Sequence, residues 1–204
     1  MNIFTKKVFD KKAQKRKSSL LFQKGLSLIE ASMVLALSAI VVSGVMYYYQ
    51  SASDNNKTQS TVSEVMSIVS AVNGLYVGTS GYAGLNASVI LKTSAVPENY
   101  KSTDGTTIMH PFGGTLTLGT TQNHTGYYIR LDKIPESACV NLSSMNFGTS
   151  LGGVGVNAKN ESSQNIGTVG VTNGKGQFTK TALTPAEASD ACSKGENTIS
   201  FLLK

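Results

Sequence analysis

From Leu26 to Tyr49 the sequence reads LSLIEASMVLALSAIVVSGVMYYY, an apolar run whose single charge is Glu30. At 1.5 Å per residue a helix of this length crosses the roughly 30 Å hydrocarbon core of a bilayer. No proline precedes Pro97, so nothing in the sequence stops or kinks that helix at Tyr49. Val62, Val65, Met66, Val69, Val72 and Tyr76 then recur at three- and four-residue spacing, one apolar stripe on an otherwise polar helix. A continuous helix from Leu26 to about Tyr76 is on the order of 75 Å long, too long for a compact domain of this size. Its first half must be buried in lipid or in other subunits, and its second half against a globular domain.

Charge is distributed to match. The chain carries a net charge of +6, which at face value suggests nucleic acid or an anionic membrane. Residues 1–25, however, hold Lys6, Lys7, Lys11, Lys12, Lys15, Arg16, Lys17 and Lys24 against Asp10 alone, a local +7. The remainder is therefore +6 minus +7, or −1. A basic block directly before an apolar run places the N-terminus in the cytoplasm and everything after Tyr49 outside. Nucleic-acid binding is excluded as a reading, because the folded part lacks the electrostatic footprint it needs.

Cys139 and Cys192 are the two cysteines, both downstream of the export segment. An even count there reads as one disulfide in an oxidising compartment, with two unpaired thiols as the alternative. No metal site is expected, since His110 and His124 show no ligand spacing to either cysteine. No cofactor is expected either.

Past Gly78 the composition shifts to Gly, Ser, Thr and Asn with short apolar stretches. Thr115 to Leu118, Tyr127 to Asp132, Val154 to Asn157 and Thr198 to Leu203 read as strands. Pro185 to Cys192 reads as a short helix with Thr184 as N-cap and Glu187 at the third position. Gly152-Gly153-Val154-Gly155 has the look of a glycine loop but follows no βαβ pattern, and reads as a turn rather than a nucleotide site. No Ser/His/Asp or Cys/His arrangement, paired carboxylates or phosphate loop is supported by spacing, so no enzyme is expected.

The junction Lys24-Gly25-Leu26-Ser27-Leu28-Ile29-Glu30 is the most specific feature. It resembles the prepilin peptidase site of type IV pilins and pseudopilins, in which cleavage follows a glycine and the new N-terminus is methylated. The resemblance implies cleavage between Gly25 and Leu26 and N-methylation of Leu26. A secretory signal peptide discards its apolar stretch, whereas here the cut precedes that stretch. The product keeps its anchor and loses its cytoplasmic charge.

A carboxylate within an apolar helix costs roughly 2.5–3.5 kcal/mol on insertion scales, so Glu30 needs a partner. The amino group of Leu26 freed by cleavage is a cation one helical turn away, and methylation keeps its charge. In a fibre of staggered parallel helices, Glu30 of one subunit meets the amine of its neighbour, a pair that fixes register. The alternative is a juxtamembrane acid neutralised near the interface. Ser32 with Ala36, and Ala39 with Ser43, put small residues at four-residue spacing and let such helices approach closely. Gly44 is the weak point of the helix, because glycine costs about 1 kcal/mol there relative to alanine.

The stretch KGLSLIEASMVLALSAIVVSGVMYYYQSASDNNK, followed by NGLYVG, PFGG and TPAEASDAC, resembles the type IVb pilins of enteric bacteria, close to bundle-forming and longus pilins. A leader of 25 residues and leucine after the cut fit that class. The resemblance implies an α+β fold of the type IV pilin kind, an α/β roll. In that fold a long N-terminal helix, its apolar half protruding, packs on an antiparallel sheet. The implied organisation is a cleaved basic leader at 1–25, an apolar transmembrane and assembly helix at 26–49, its amphipathic continuation at 50–77, and a globular head at 78–204. The head contains a disulfide-bounded region from Cys139 to Cys192, exposed on the filament and governing subunit contacts, bundling and adhesion.

The implied function is that of a major structural subunit that polymerises with itself into extracellular filaments for attachment, autoaggregation and colonisation. The implied partners are other copies in a helical homopolymer, a prepilin peptidase, an assembly ATPase, an inner-membrane platform and an outer-membrane secretin. The host-cell surface and neighbouring pili complete the set. The chain is expected first in the bacterial inner membrane and then in the extracellular pilus. A minor pilin or type II secretion pseudopilin shares every N-terminal feature, and a signal-anchored periplasmic enzyme or binding protein is the third reading. The large disulfide-bounded region favours a major pilin over a pseudopilin.

Overall fold

A computed structural model describes residues 27–166, 169, 176–193 and 195–204. Gly25 and Leu26 lie outside the described residues. The chain divides between Val45 and Met46 into two compact units. One α-helix, α1 (Leu28–Leu75), contributes to both. It begins and ends within two residues of the limits that the unbroken, proline-free sequence predicts.

In the first unit, the side chains from Leu28 to Val45 are exposed except for the partly covered Ala31. The three serines with bonded hydroxyls here satisfy themselves internally. Ser32 donates to the Ile29 carbonyl at 2.7 Å, Ser38 to Val34 at 2.7 Å and Ser43 to Ala39 at 2.8 Å. Such back-bonding satisfies these three hydroxyls within the helix, which suits this surface to an apolar environment.

In the second unit, α1 turns one face inward. Val65, Ile68, Val69 and Val72 are buried, together with Thr61 and Glu64. The stripe anticipated from sequence therefore needs a correction, because Met66 is 50 % exposed and Ile68, unassigned there, is fully buried. Both lie close to the boundary of a 3.6-residue stripe, and the direction of the sheet decides between them.

The sheet has six strands in the order β1-β2-β3-β6-β4-β5. They are β1 (Ile108–Met109), β2 (Thr115–Thr120), β3 (Tyr127–Pro135), β4 (Leu151–Val156), β5 (Phe178–Thr179) and β6 (Glu196–Leu203). Every neighbouring pair is antiparallel. One face carries Tyr127, Ile129 and Leu131 of β3, Ile199, Phe201 and Leu203 of β6, and Val154 and Val156 of β4, all packed in one core with the buried stripe of α1. This is the expected α+β arrangement of a long helix on an antiparallel sheet.

Short helices α2 (Ala87–Leu91), α3 (Glu136–Ser143) and α4 (Pro185–Ala191) complete the fold. The capping box anticipated at α4 is formed. Thr184 Oγ1 accepts from the Glu187 amide at 3.4 Å, and the Glu187 carboxylate accepts from the Thr184 amide at 2.9 Å. The Thr184 amide, and the Thr184 hydroxyl that donates to the same carboxylate at 2.8 Å, hold the Glu187 carboxyl below its ordinary pKa.

The reading of Gly152-Gly153-Val154-Gly155 as a turn is corrected, because these residues lie inside β4. Their glycines answer to the outer face of the sheet. A Cβ on Gly152 would lie 2.5 Å from Ile166 Cγ2, and one on Gly155 would lie 2.7 Å from Ala158 Cβ. A chain segment crosses that face with Ala158 and Phe178 packed on Leu202, and side chains on β4 would block it. Arg130 and Glu161 tie the same segment down. Arg130 Nη1 donates to Glu161 Oε1 at 3.1 Å, and Ser200 Oγ donates to the same oxygen at 2.8 Å.

Candidate assembly surface and disulfide-bounded region

Three features of the described residues stand out, and each has a local cause. The first is the exposed apolar stretch of α1. Leu28, Ile29, Leu35, Leu37, Ile40 and Val41 each expose between 65 % and 87 % of their surface. Alanine, leucine and methionine favour helix, and the β-branched valines and isoleucines are tolerated in a long helix with no proline. By length and composition the helix can cross a membrane. Glu30 stands in its first turn, exposed, and among the described residues it joins no ion pair. A carboxylate in a first turn is favoured by the positive end of the helix dipole, worth about 0.3–1 kcal/mol. Residues Gly25 and Leu26, the predicted cleavage and methylation positions, fall outside the described residues.

The second is the region between the cysteines. Cys139 in α3 and Cys192 at the end of α4 form a disulfide with Cα atoms 5.9 Å apart, and both are fully buried. The strand order explains its position. The chain leaves β3 at Pro135, passes through α3, β4, β5 and α4, and returns as β6, where Glu196 pairs with Pro135. Cys139 follows the exit and Cys192 precedes the return, so the bond clamps the two ends of the whole excursion. Around it the Leu183 amide donates to the Ser143 carbonyl at 3.2 Å. The Asn157 carboxamide accepts from the Thr198 amide at 3.1 Å and donates to Asn197 Oδ1 at 3.0 Å.

The third was not legible in the sequence. A groove of about 250 Å³ runs between α1 and α3, lined by Tyr47, Asp54 and Thr58 on one side and Ser137 and Asn141 on the other. Hydroxyls, amides and a carboxylate line it together with apolar carbon, including the Ala138 methyl. The signal for α3 was present in Pro135 followed by Glu136, with Ala138 and Leu142 four residues apart. The two histidines do not form a site. His110 is buried with Nε2 at 2.8 Å from the Asp132 carbonyl, and burial lowers its pKa, whereas the His124 ring meets Thr120 Oγ1 at 3.1 Å. No cluster of metal-ligating side chains occurs among the described residues.

Comparison with known proteins identifies the family. The family model described as Bundlin matches residues 50–202. Two curated proteins, each named major structural subunit of bundle-forming pilus, are 50 % identical to this chain over 188 residues. They come from Escherichia coli O111:H- and from Escherichia coli O127:H6 strain E2348/69, and the match covers 90 % of this chain and 95 % of each relative. The family model spans α1 from Gln50 onward, α3 and the cysteine pair, and with half-identity to these relatives over nine-tenths of its length the chain belongs to the bundlin family.

Proposed function

We propose that this chain is the major structural subunit of a type IVb pilus, a polymerising protein rather than an enzyme. The observation that carries the reading is the exposed apolar stretch of α1, in a chain half-identical to major pilus subunits over nine-tenths of its length. An apolar surface of this extent is stable only in lipid or against like helices. Polymerisation of parallel copies satisfies it outside the cell, and the inner membrane satisfies it before assembly.

In this reading residues 1–25 are a leader removed by a prepilin peptidase between Gly25 and Leu26, and Leu26 becomes the N-methylated terminus. Glu30 sets the stagger of neighbouring helices, residues 26–49 anchor and assemble, 50–77 dock on the head, and 78–204 form the head. An assembly ATPase, an inner-membrane platform and a secretin move the subunits outward. The disulfide-bounded region, with the exposed Glu187 and Asp190 of α4, faces neighbouring filaments and host surfaces and serves bundling and adhesion.

The deciding experiment is intact mass and N-terminal analysis of filaments sheared from the cell surface. The expected chain begins at N-methylated Leu26, dominates the sheared fraction and is two mass units short for one disulfide. A chain beginning at Met1 and confined to the membrane fraction would refute the proposal. Replacing Gly25 with a bulkier residue such as leucine is expected to leave a longer, membrane-bound precursor and no filaments. Immunoblotting of membrane and sheared fractions checks this, and normal filaments from the variant would remove the peptidase-site reading.

A further inference from the structure

Glu64 is the one buried carboxylate on α1 within the head, and the function proposed above makes no use of it. It is 4 % exposed, on the same helical face as Thr61, Val65 and Ile68. Neither carboxylate oxygen has a hydrogen-bond partner. Thr61, one turn earlier, directs its hydroxyl to the Lys57 carbonyl at 2.9 Å and so does not serve it. An ionised carboxylate left this way in a core loses its hydration and receives nothing in return.

The charged and titratable groups on the elements that reach α1 are paired elsewhere or exposed, apart from the buried Nδ1 of His110, which has no partner. Lys57 Nζ lies 6.0 Å from the Phe112 ring centre. Ser67 donates to the Ala95 carbonyl at 3.0 Å, and the nearest cation in sequence to that segment, Lys92, is exposed. His110 engages the Asp132 carbonyl, while the Asp132 carboxylate accepts from Thr115. Arg130 is paired with Glu161 on the outer face of the sheet, and Lys133 of the same strand is exposed. Tyr127 Oη reaches Asn73 Oδ1 at 3.5 Å, and Tyr82 stacks between the rings of Tyr76 and Tyr127. No ion pair among the described residues includes Glu64.

We propose that Glu64 makes the docking of α1 on the sheet proton-dependent: the helix packs with Glu64 neutral, and loss of its proton loosens the helix from the head. Residue 64 lies well beyond the apolar stretch ending at Tyr49, in the head-facing part of α1. There burial pushes its carboxyl from 4.5 up to about 8. Because the folded value stands above the unfolded one, the unfolded chain gives up its proton first as pH rises. Stability is therefore full below about 4.5, falls progressively between 4.5 and 8, and changes no further above the folded value. The limiting slope is about tenfold in the unfolding equilibrium constant per pH unit.

The test uses the mature full-length chain in detergent micelles, as wild type and Glu64→Gln, unfolded by heat and by denaturant at pH 5, 6, 7 and 8. The wild type is expected to lose stability across this range, with its unfolding constant approaching about 100-fold higher at pH 7 than at pH 5. The variant is expected to lack that component. Equal pH slopes in the two proteins overturn the proposal. Infrared spectroscopy of the wild type supplies a second reading that needs no foldable variant. A neutral carboxylic-acid band is expected at pH 7 and should vanish by pH 9; its absence at pH 7, or its persistence in Glu64→Gln, also overturns the proposal.

Discussion

Replacing Cys139 and Cys192 together with serine is expected to destabilise the head by about 4 kcal/mol, the loop-closure value for a sequence separation of 53. For a unit of this size that corresponds to a fall of roughly 8–16 °C in the melting temperature. The bond closes an excursion holding α3, β4, β5 and α4, and without it β6 must find its place between β3 and β4 unaided. The loss should fall mainly on the unfolded chain, whose freedom the cross-link restricts. Thermal and denaturant unfolding of the double variant beside wild type measures it directly. Equal stability of the two proteins would show that the excursion is held by packing alone. Reduction of the wild type should reproduce the variant, since both cysteines are fully buried and serine adds only a small polar group at each position.

Replacing Glu30 with alanine is expected to leave cleavage and membrane insertion intact while reducing sheared filaments by at least about tenfold. The argument begins with cost. A carboxylate in an apolar helix is unfavourable by roughly 2.5–3.5 kcal/mol, and it is offset only if a cation meets it. In the proposed fibre that cation would be the amino terminus of a neighbouring subunit, and removing one member of a dry pair costs about 3–5 kcal/mol because the other is left uncompensated. Each 1.4 kcal/mol is a factor of ten in association, so even partial loss at each contact is large when repeated along a filament. Glu30→Gln separates charge from size, and it should assemble as poorly as the alanine variant. Processed subunit in the membrane fraction, filament yield and electron microscopy are the readouts. Wild-type piliation in Glu30→Ala would refute the register role.

Much of the fold was legible where the signal is local. The length of α1 follows from an apolar run continued by a helical stripe with no proline. The α4 cap follows from Thr184, Pro185 and Glu187, which fall at the N-cap, first and third helical positions. The cores of β2, β3, β4 and β6 were visible as short apolar runs, but their ends were not, because cross-strand partners set them. Thus β3 runs on to Pro135 and β6 starts at Glu196, since those two residues pair with each other. The two-residue strands β1 and β5 have no periodicity of their own and exist through pairing at the sheet edges.

The function was legible for the same reason that the helix was. Composition, the order of charge and apolar residues, and the Gly25-Leu26 junction with Glu30 all lie along a continuous stretch of chain, and covalent neighbours need no folding to be near each other. By itself the sequence determined that part of this protein must be sheltered by lipid or by its own kind. Only the tertiary structure decided that Ile68 faces inward while Met66 faces out, and that the glycines of β4 make room for a crossing segment. It also decided that Glu64 is sealed from water without a partner. Each of these depends on what another part of the chain brings within van der Waals distance, and burial is a property of the packed surfaces rather than of the residue.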